Sequence, residues 1–151
     1  MADVWGKLNL KDHDEIVVVN APASFEPEVK ALDGVAVKRK PADVKEIAFF
    51  LGFVTTQKEV DDLARVIAKK SVPDAVVWFA YPKGTSKKYT SDISRDTGIQ
   101  ALGEAGFEPV RMVAIDEDWT GKRFRRVAFI KNLTRDPRAL ASKEGKKRVA
   151  R

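Results

Sequence analysis

The stretch Asp74-Ala-Val-Val-Trp-Phe-Ala-Tyr81 decides the fold. From Ala75 onward it is apolar without alternation and rich in β-branched and aromatic residues. A strand that keeps one face in water alternates, so an unbroken run marks a strand covered on both faces. It continues into Pro82-Lys-Gly-Thr-Ser-Lys-Lys-Tyr89, which is polar and basic and belongs at the surface. A central strand feeding such a loop places any ligand at the strand's carboxyl end.

Working outward, Glu46-Ile-Ala-Phe-Phe-Leu-Gly-Phe-Val54 is more apolar still and is expected in the middle of the sheet. Glu15-Ile-Val-Val-Val-Asn20 is a further buried strand, ending in Asn20-Ala-Pro-Ala-Ser24, where Pro22 stops the ladder and Ser24 is placed to cap a helix over residues 25–32. Pro27 suits that helix's first turn, and Gly34 breaks it before a short strand over residues 35–39. Thr56-Gln-Lys-Glu59 fits a capping box, and Val60, Leu63, Ala64, Ile67 and Ala68 recur on one helix face behind it. Pro73 is expected to end that helix. A second, weaker helix is expected over residues 92–105, with Gly106 as its left-handed terminator. Strands over residues 107–115 and 122–130 flank the polar turn 116–121, which predicts an antiparallel pair. Trp5, Leu8 and Leu10 are read as a lid on the sheet edge, and Trp5 and Trp78 as core residues.

This order predicts an α/β fold, a mostly parallel, Rossmann-like sheet with flanking helices and a C-terminal antiparallel hairpin. The 151 residues and 16.8 kDa suit one domain over residues 1–130, followed by a basic, flexible tail over 131–151. Ligands of such sheets sit outside the strands' carboxyl ends, so Asn20 to Ser24, Thr55, Tyr81 with Lys83 and Ser86, and Asp116 with Asp118 and Trp119 should cluster.

Composition excludes several chemistries. There is no cysteine, hence no disulfide, thiolate site or thiol nucleophile, and the single histidine leaves no pair for zinc. No metal site is expected. His13 is read as a surface residue rather than a general base, since no partner can be assigned to it. No apolar run approaches the roughly 20 residues that span a bilayer, and no charged leader precedes an apolar stretch, so a cytoplasmic protein with no membrane contact is expected. The net charge of +6 lies entirely in residues 131–151, leaving 20 basic and 20 acidic residues in the rest. Lys143, Lys146, Lys147 and Arg148 are therefore the candidates for a weak, salt-sensitive nucleic-acid contact, against the alternative of a solubilising extension.

Four motifs carry a resemblance: Val-Val-Val-Asn-Ala-Pro at 17–22, Trp78-Phe-Ala-Tyr-Pro-Lys83, Ser91-Asp-Ile-Ser-Arg-Asp96 and Asp116-Glu-Asp-Trp-Thr-Gly-Lys-Arg-Phe124. In this order they resemble bacterial proteins grouped as domain-of-unknown-function 3052, over residues 4–130. The element order resembles a shortened class I S-adenosylmethionine methyltransferase. The resemblance implies a degenerate methyltransferase-like domain. In working members the first strand ends in an acidic residue and a glycine-rich turn, because only glycine lets the backbone approach the methionine moiety. A second acid, after the next strand, holds the ribose hydroxyls. Here the turn has no glycine and the second strand ends Lys38-Arg39-Lys40, which suits a phosphate and not a ribose diol.

The expectation is thus a non-catalytic methyltransferase-like module without cofactor, binding an anionic small molecule or nucleotide. The alternatives are a nucleic-acid accessory protein using the tail, an S-adenosylmethionine-dependent methyltransferase, and a small enzyme pairing Asp116 or Asp118 with Lys83. The loop 82–88 suits an anion but lacks the phosphate-loop consensus, and solvated loops share its composition. Asp116, Glu117 and Asp118 read as a solvated turn before a carboxylate pair or hard-cation site. Trp119 is expected to fold back onto the sheet.

Overall fold

In the computed structural model, residues 4–89, 91 and 100–130 are described. The tail 131–151 and most of the expected helix over 92–105 lie outside them. Six strands form one sheet: β1 (Glu15–Val19), β2 (Ala36–Lys38), β3 (Ile47–Phe53), β4 (Ser71–Pro82), β5 (Phe107–Ala114) and β6 (Trp119–Arg126), in the order β2-β1-β3-β4-β6-β5. The β2, β1, β3 and β4 pairings are parallel, and β6 runs antiparallel to both β4 and β5. Five strands therefore share one direction, as the sequence pattern predicts.

The apolar runs of β3 and β4 feed two cores at once. Phe50, Val77, Phe79 and Tyr81 face Val60, Ala64 and Ile67 of α3 (Gln57–Lys70). Phe49, Leu51, Val76, Trp78 and Ala80 face Trp5, Leu8, Phe25 and Val29 of the opposite layer, which holds α1 (Val4–Lys7) and α2 (Glu26–Lys30). Burial on both faces explains why neither strand alternates. Gly52 belongs to this packing, because a Cβ there would lie 2.8 Å from the Phe50 ring and 3.3 Å from Leu63 of α3.

Several local expectations change. Trp5 covers a sheet face and not its edge: its indole Nε1 donates to the Glu28 carbonyl at 2.9 Å, and that of Trp78 to the Leu8 carbonyl at 2.6 Å. Ser24 caps no helix, since Phe25 takes the cap position of α2 without a side-chain bond. The long helix stops at Lys70, three residues before Pro73, and Pro73 lies inside β4. There the β3–β4 ladder is irregular, jumping from Ile47–Ser71 to Phe49–Val76. Arg126 repairs the gap. Its guanidinium donates to the carbonyls of Val72 at 2.7 Å and Pro73 at 3.1 Å and to Ser71 Oγ at 2.8 Å, and it lies 4.9 Å from the Phe107 ring centre.

The last strand also begins earlier and ends sooner than expected. Trp119, Thr120 and Gly121 pair with Pro82, Tyr81 and Ala80 instead of forming the turn. Gly121 gives room, since a Cβ would sit 3.3 Å from Trp78 and 3.2 Å from Ile115. After Arg126 the chain leaves the sheet in a 3-10 turn, Val127–Phe129, pinned by the Val127 amide on the Gly106 carbonyl at 3.0 Å. Gly106, at φ +89°, terminates α4 (Gln100–Glu104) in the left-handed conformation expected of it.

Arg126→Ala should lower stability by about 2 kcal/mol, the scale of hydrogen bonds to a charged donor, and the melting temperature by about 5 °C. Calorimetry checks this, and a shift below about 1 °C would show that the Pro73 gap needs no such brace.

Candidate functional site

The register fixes one rim. Val19 stands beside Gly52, Phe53 beside Ala80, and Pro82 beside Trp119, so the segments leaving β1, β3 and β4 and entering β6 emerge together. Side chains tie them into two knots.

The first knot joins the ends of β1 and β3. Asn20 adopts φ +58°, a left-handed conformation that asparagine tolerates better than most residues. Its Nδ2 donates to Glu59 Oε2 at 3.4 Å. Glu59 Oε1 accepts from the amides of Thr55 at 2.9 Å and Thr56 at 3.1 Å, and from the hydroxyls of both. The Glu59 amide in turn donates to Thr56 Oγ1 at 3.3 Å, completing the capping box of α3. Partial burial opposes ionisation of Glu59, but the bonds from Thr55 and Thr56 outweigh it and hold the carboxyl below its usual range.

The second knot joins the β4 loop to the β5–β6 turn. The Lys83 amide donates to the Asp118 carbonyl at 2.8 Å, and Ser86 Oγ donates to Asp118 Oδ1 at 2.9 Å. Asp116 Oδ1 accepts from the amides of Asp118 at 2.8 Å and Trp119 at 2.9 Å, while Ser24 Oγ donates to Asp116 Oδ2 at 3.4 Å. Ser24 therefore bridges to a segment 92 residues away instead of capping its own helix.

The other candidates sit as follows. Trp119 folds back and is 3% exposed, against Phe53 at 5.2 Å and Tyr89 at 4.9 Å between ring centres. Its Nε1 is buried without a hydrogen-bond partner among the described residues. Tyr81 points into the core on the α3 side, beside a void of about 10 Å³ lined by Val54, Val60, Phe79, Leu102, Lys122 and Phe124, so it is not brought to the rim surface. Lys38 is half-buried at the end of β2, where Arg39 pairs Glu26 through two 2.8 Å bonds. Lys38, Lys83, Lys87 and Lys88 have no ion-pair partner among the described residues. His13 lies before β1, at the opposite end of the strand from Asn20. It packs half-buried 5.3 Å from the Phe49 ring, and burial lowers its pKa against a smaller opposing effect of Asp12. It takes no part in the rim. Lys143, Lys146, Lys147 and Arg148 lie outside the described residues.

Sequence reasoning read Glu59 only as half of a capping box. The Thr55-Thr56 pair before it was the available signal, because consecutive hydroxyls and amides there gather on one carboxylate oxygen and leave Oε2 to Asn20 alone.

The resemblance implies S-adenosylmethionine, which needs a glycine turn and an acid for its ribose hydroxyls. Ala21, Pro22 and Ala23 carry side chains where the family's turn has glycines, and the acid beside the second strand's end, Glu26, is engaged by Arg39. The rim acids Glu59, Asp116 and Asp118 accept from the chain itself. The turn over residues 20–24 thus departs from the glycine-rich cradle that the resemblance implies for S-adenosylmethionine.

Neither a protein-family model nor a curated protein matches the chain. Solved structures do. An S-adenosylmethionine-dependent methyltransferase from Aquifex aeolicus is 13% identical with a TM-score of 0.60, over 82% of this chain and 88% of its own. A Sulfolobus solfataricus protein assigned to the type 11 methyltransferases is 8% identical with a TM-score of 0.54, over 88% and 95%. The fibrillarin pre-rRNA processing protein of Methanococcus jannaschii is 11% identical with a TM-score of 0.51, over 77% and 67%. The chain has a Rossmann-like, methyltransferase-like fold.

Glu59→Ala should destabilise the protein by about 1 kcal/mol at neutral pH, the worth of a helix cap. A carboxyl lowered on folding stabilises fully above its ordinary pKa of about 4.5 and loses that contribution as pH falls through the folded value. Urea unfolding should therefore show the gap between wild type and variant closing as pH falls below that ordinary value. A gap that does not change with pH would remove the charge from the account.

Proposed function

We propose that this chain is a methyltransferase-fold binding protein that takes an anionic, nucleotide-type ligand at the carboxyl ends of β1, β3 and β4 and transfers no methyl group. One observation carries the reading: at this rim the carboxylates Glu26, Glu59, Asp116 and Asp118 are all engaged within the chain, while the ammonium groups of Lys38, Lys83, Lys87 and Lys88 lack ion-pair partners among the described residues. Lysines without ion-pair partners among the described residues make this rim attractive to a phosphate. Kinship with the domain-of-unknown-function 3052 proteins is part of this proposal and rests on the four sequence motifs.

S-adenosylmethionine-dependent methyl transfer is the second reading. What favours it is the likeness in fold to an enzyme of that chemistry over 82% of this chain. A third proposal concerns residues 131–151, whose charge of +6 suits a nucleic-acid phosphate backbone. Cleaving the chain at Asn132 should then abolish a salt-dependent mobility shift.

Isothermal calorimetry with ADP, S-adenosylmethionine and S-adenosylhomocysteine separates the first two readings. ADP should bind, with affinity lowered about tenfold by Lys83→Gln, and neither sulfur compound should bind in the micromolar range. Micromolar binding of either, with ADP inert, would replace the first reading with the second.

A further inference from the structure

On the sheet face that carries α1 and α2, β5 and β6 bring three arginines together. Arg111 stands directly across from Arg123, whose other neighbour is Trp78 of β4, and Arg125 follows two residues along β6 on the same face. Opposed side chains of an antiparallel pair have Cβ atoms about 5 Å apart, and like charges there repel. Compensation is thin. Asp74 takes both the Nε and Nη2 of Arg125 at 2.8 Å, and the charged groups that act on Arg123 are Arg125, Arg111 and this one aspartate. Glu108, across from Arg125, is fully buried and adds a second negative charge to this face.

Arg123 is also held in place. Its Nη1 donates to Asn9 Oδ1 at 3.2 Å, and Asn9, at φ +67°, follows Leu8, whose carbonyl is fixed by the Trp78 indole. Half-burial and the charges of Arg125 and Arg111 lower the Arg123 pKa from its usual value, with Asp74 opposing them. Arg111 is exposed and has no ion-pair partner among the described residues. A fixed, partly desolvated guanidinium opposite a second one is a favourable place for an anion to join them.

We infer that Arg111, Arg123 and Arg125 form a phosphate-binding patch on the β5–β6 face, separate from the strand rim. Planar guanidinium forks match phosphate oxygens in pairs, and they do so best on rigid strands. Three arginines against Asp74 and the buried Glu108 leave an excess of one positive charge, which favours an anion at this face. Arg125 reaches Asp74 near the start of β4, whereas the rim lies at Pro82, so this patch stands whether or not the rim binds a nucleotide. The phosphate belongs either to a small molecule or to a nucleic-acid backbone.

Titrating the full chain with inorganic pyrophosphate and, separately, with a single-stranded oligonucleotide tests this. At least one probe should bind, Arg111→Gln should weaken it about tenfold, and Lys83→Gln should leave it unchanged. Arg111→Lys, which keeps the charge and loses the fork, should fall between wild type and glutamine. Binding of pyrophosphate identifies a small phosphate ligand. Binding of the oligonucleotide alone, with a log–log salt slope reduced by about one in Arg111→Gln, identifies a backbone contact. Absence of binding by both probes, or binding indifferent to Arg111, would overturn the inference.

Discussion

Burial of β3 and β4 on both faces is the constraint from which the rest follows. Trp78, Phe49, Phe50 and Leu51 have no exposed surface, and successive residues enter different cores. Two layers of helix are then needed, one on each side, and the polar backbone of the connections is left only the strand ends. The rim where Asn20, Thr55, Lys83 and Asp116 meet is a consequence of this double covering. So is the approach of α3, which Gly52 permits by lacking a side chain.

The same rim is held together by its own carboxylates. Its acids act as internal mortar: Glu59 closes the start of α3 and holds Asn20, Asp116 caps its own turn and meets Ser24, and Asp118 anchors the β4 loop. Likeness of fold alone assigns no activity to this rim.

Legibility followed the range of the interactions. The β3 and β4 runs, the capping box of Thr56 and Glu59 and the Gly106 terminator are local, and each is found as the sequence implies. Ser24 was misread because its partner lies 92 residues away. Pro73 reads as a stop signal, yet it sits in a strand because Arg126, from another strand, supplies the donors that the ladder lacks there. Trp119 was rightly expected to be buried, but its place in β6 depends on pairing with Pro82, which no turn signal reveals. The arginine patch escaped for the same reason, since Arg111 and Arg123 become neighbours only through the irregular β5–β6 register.

Amide chemical shifts of the labelled protein, followed while ADP and then S-adenosylhomocysteine are added, test the central claim most directly. The account predicts that ADP moves the amides of Ala21, Thr55, Lys83 and Gly84 at the rim and that S-adenosylhomocysteine moves none of them. Shifts at those positions with S-adenosylhomocysteine and none with ADP would contradict it.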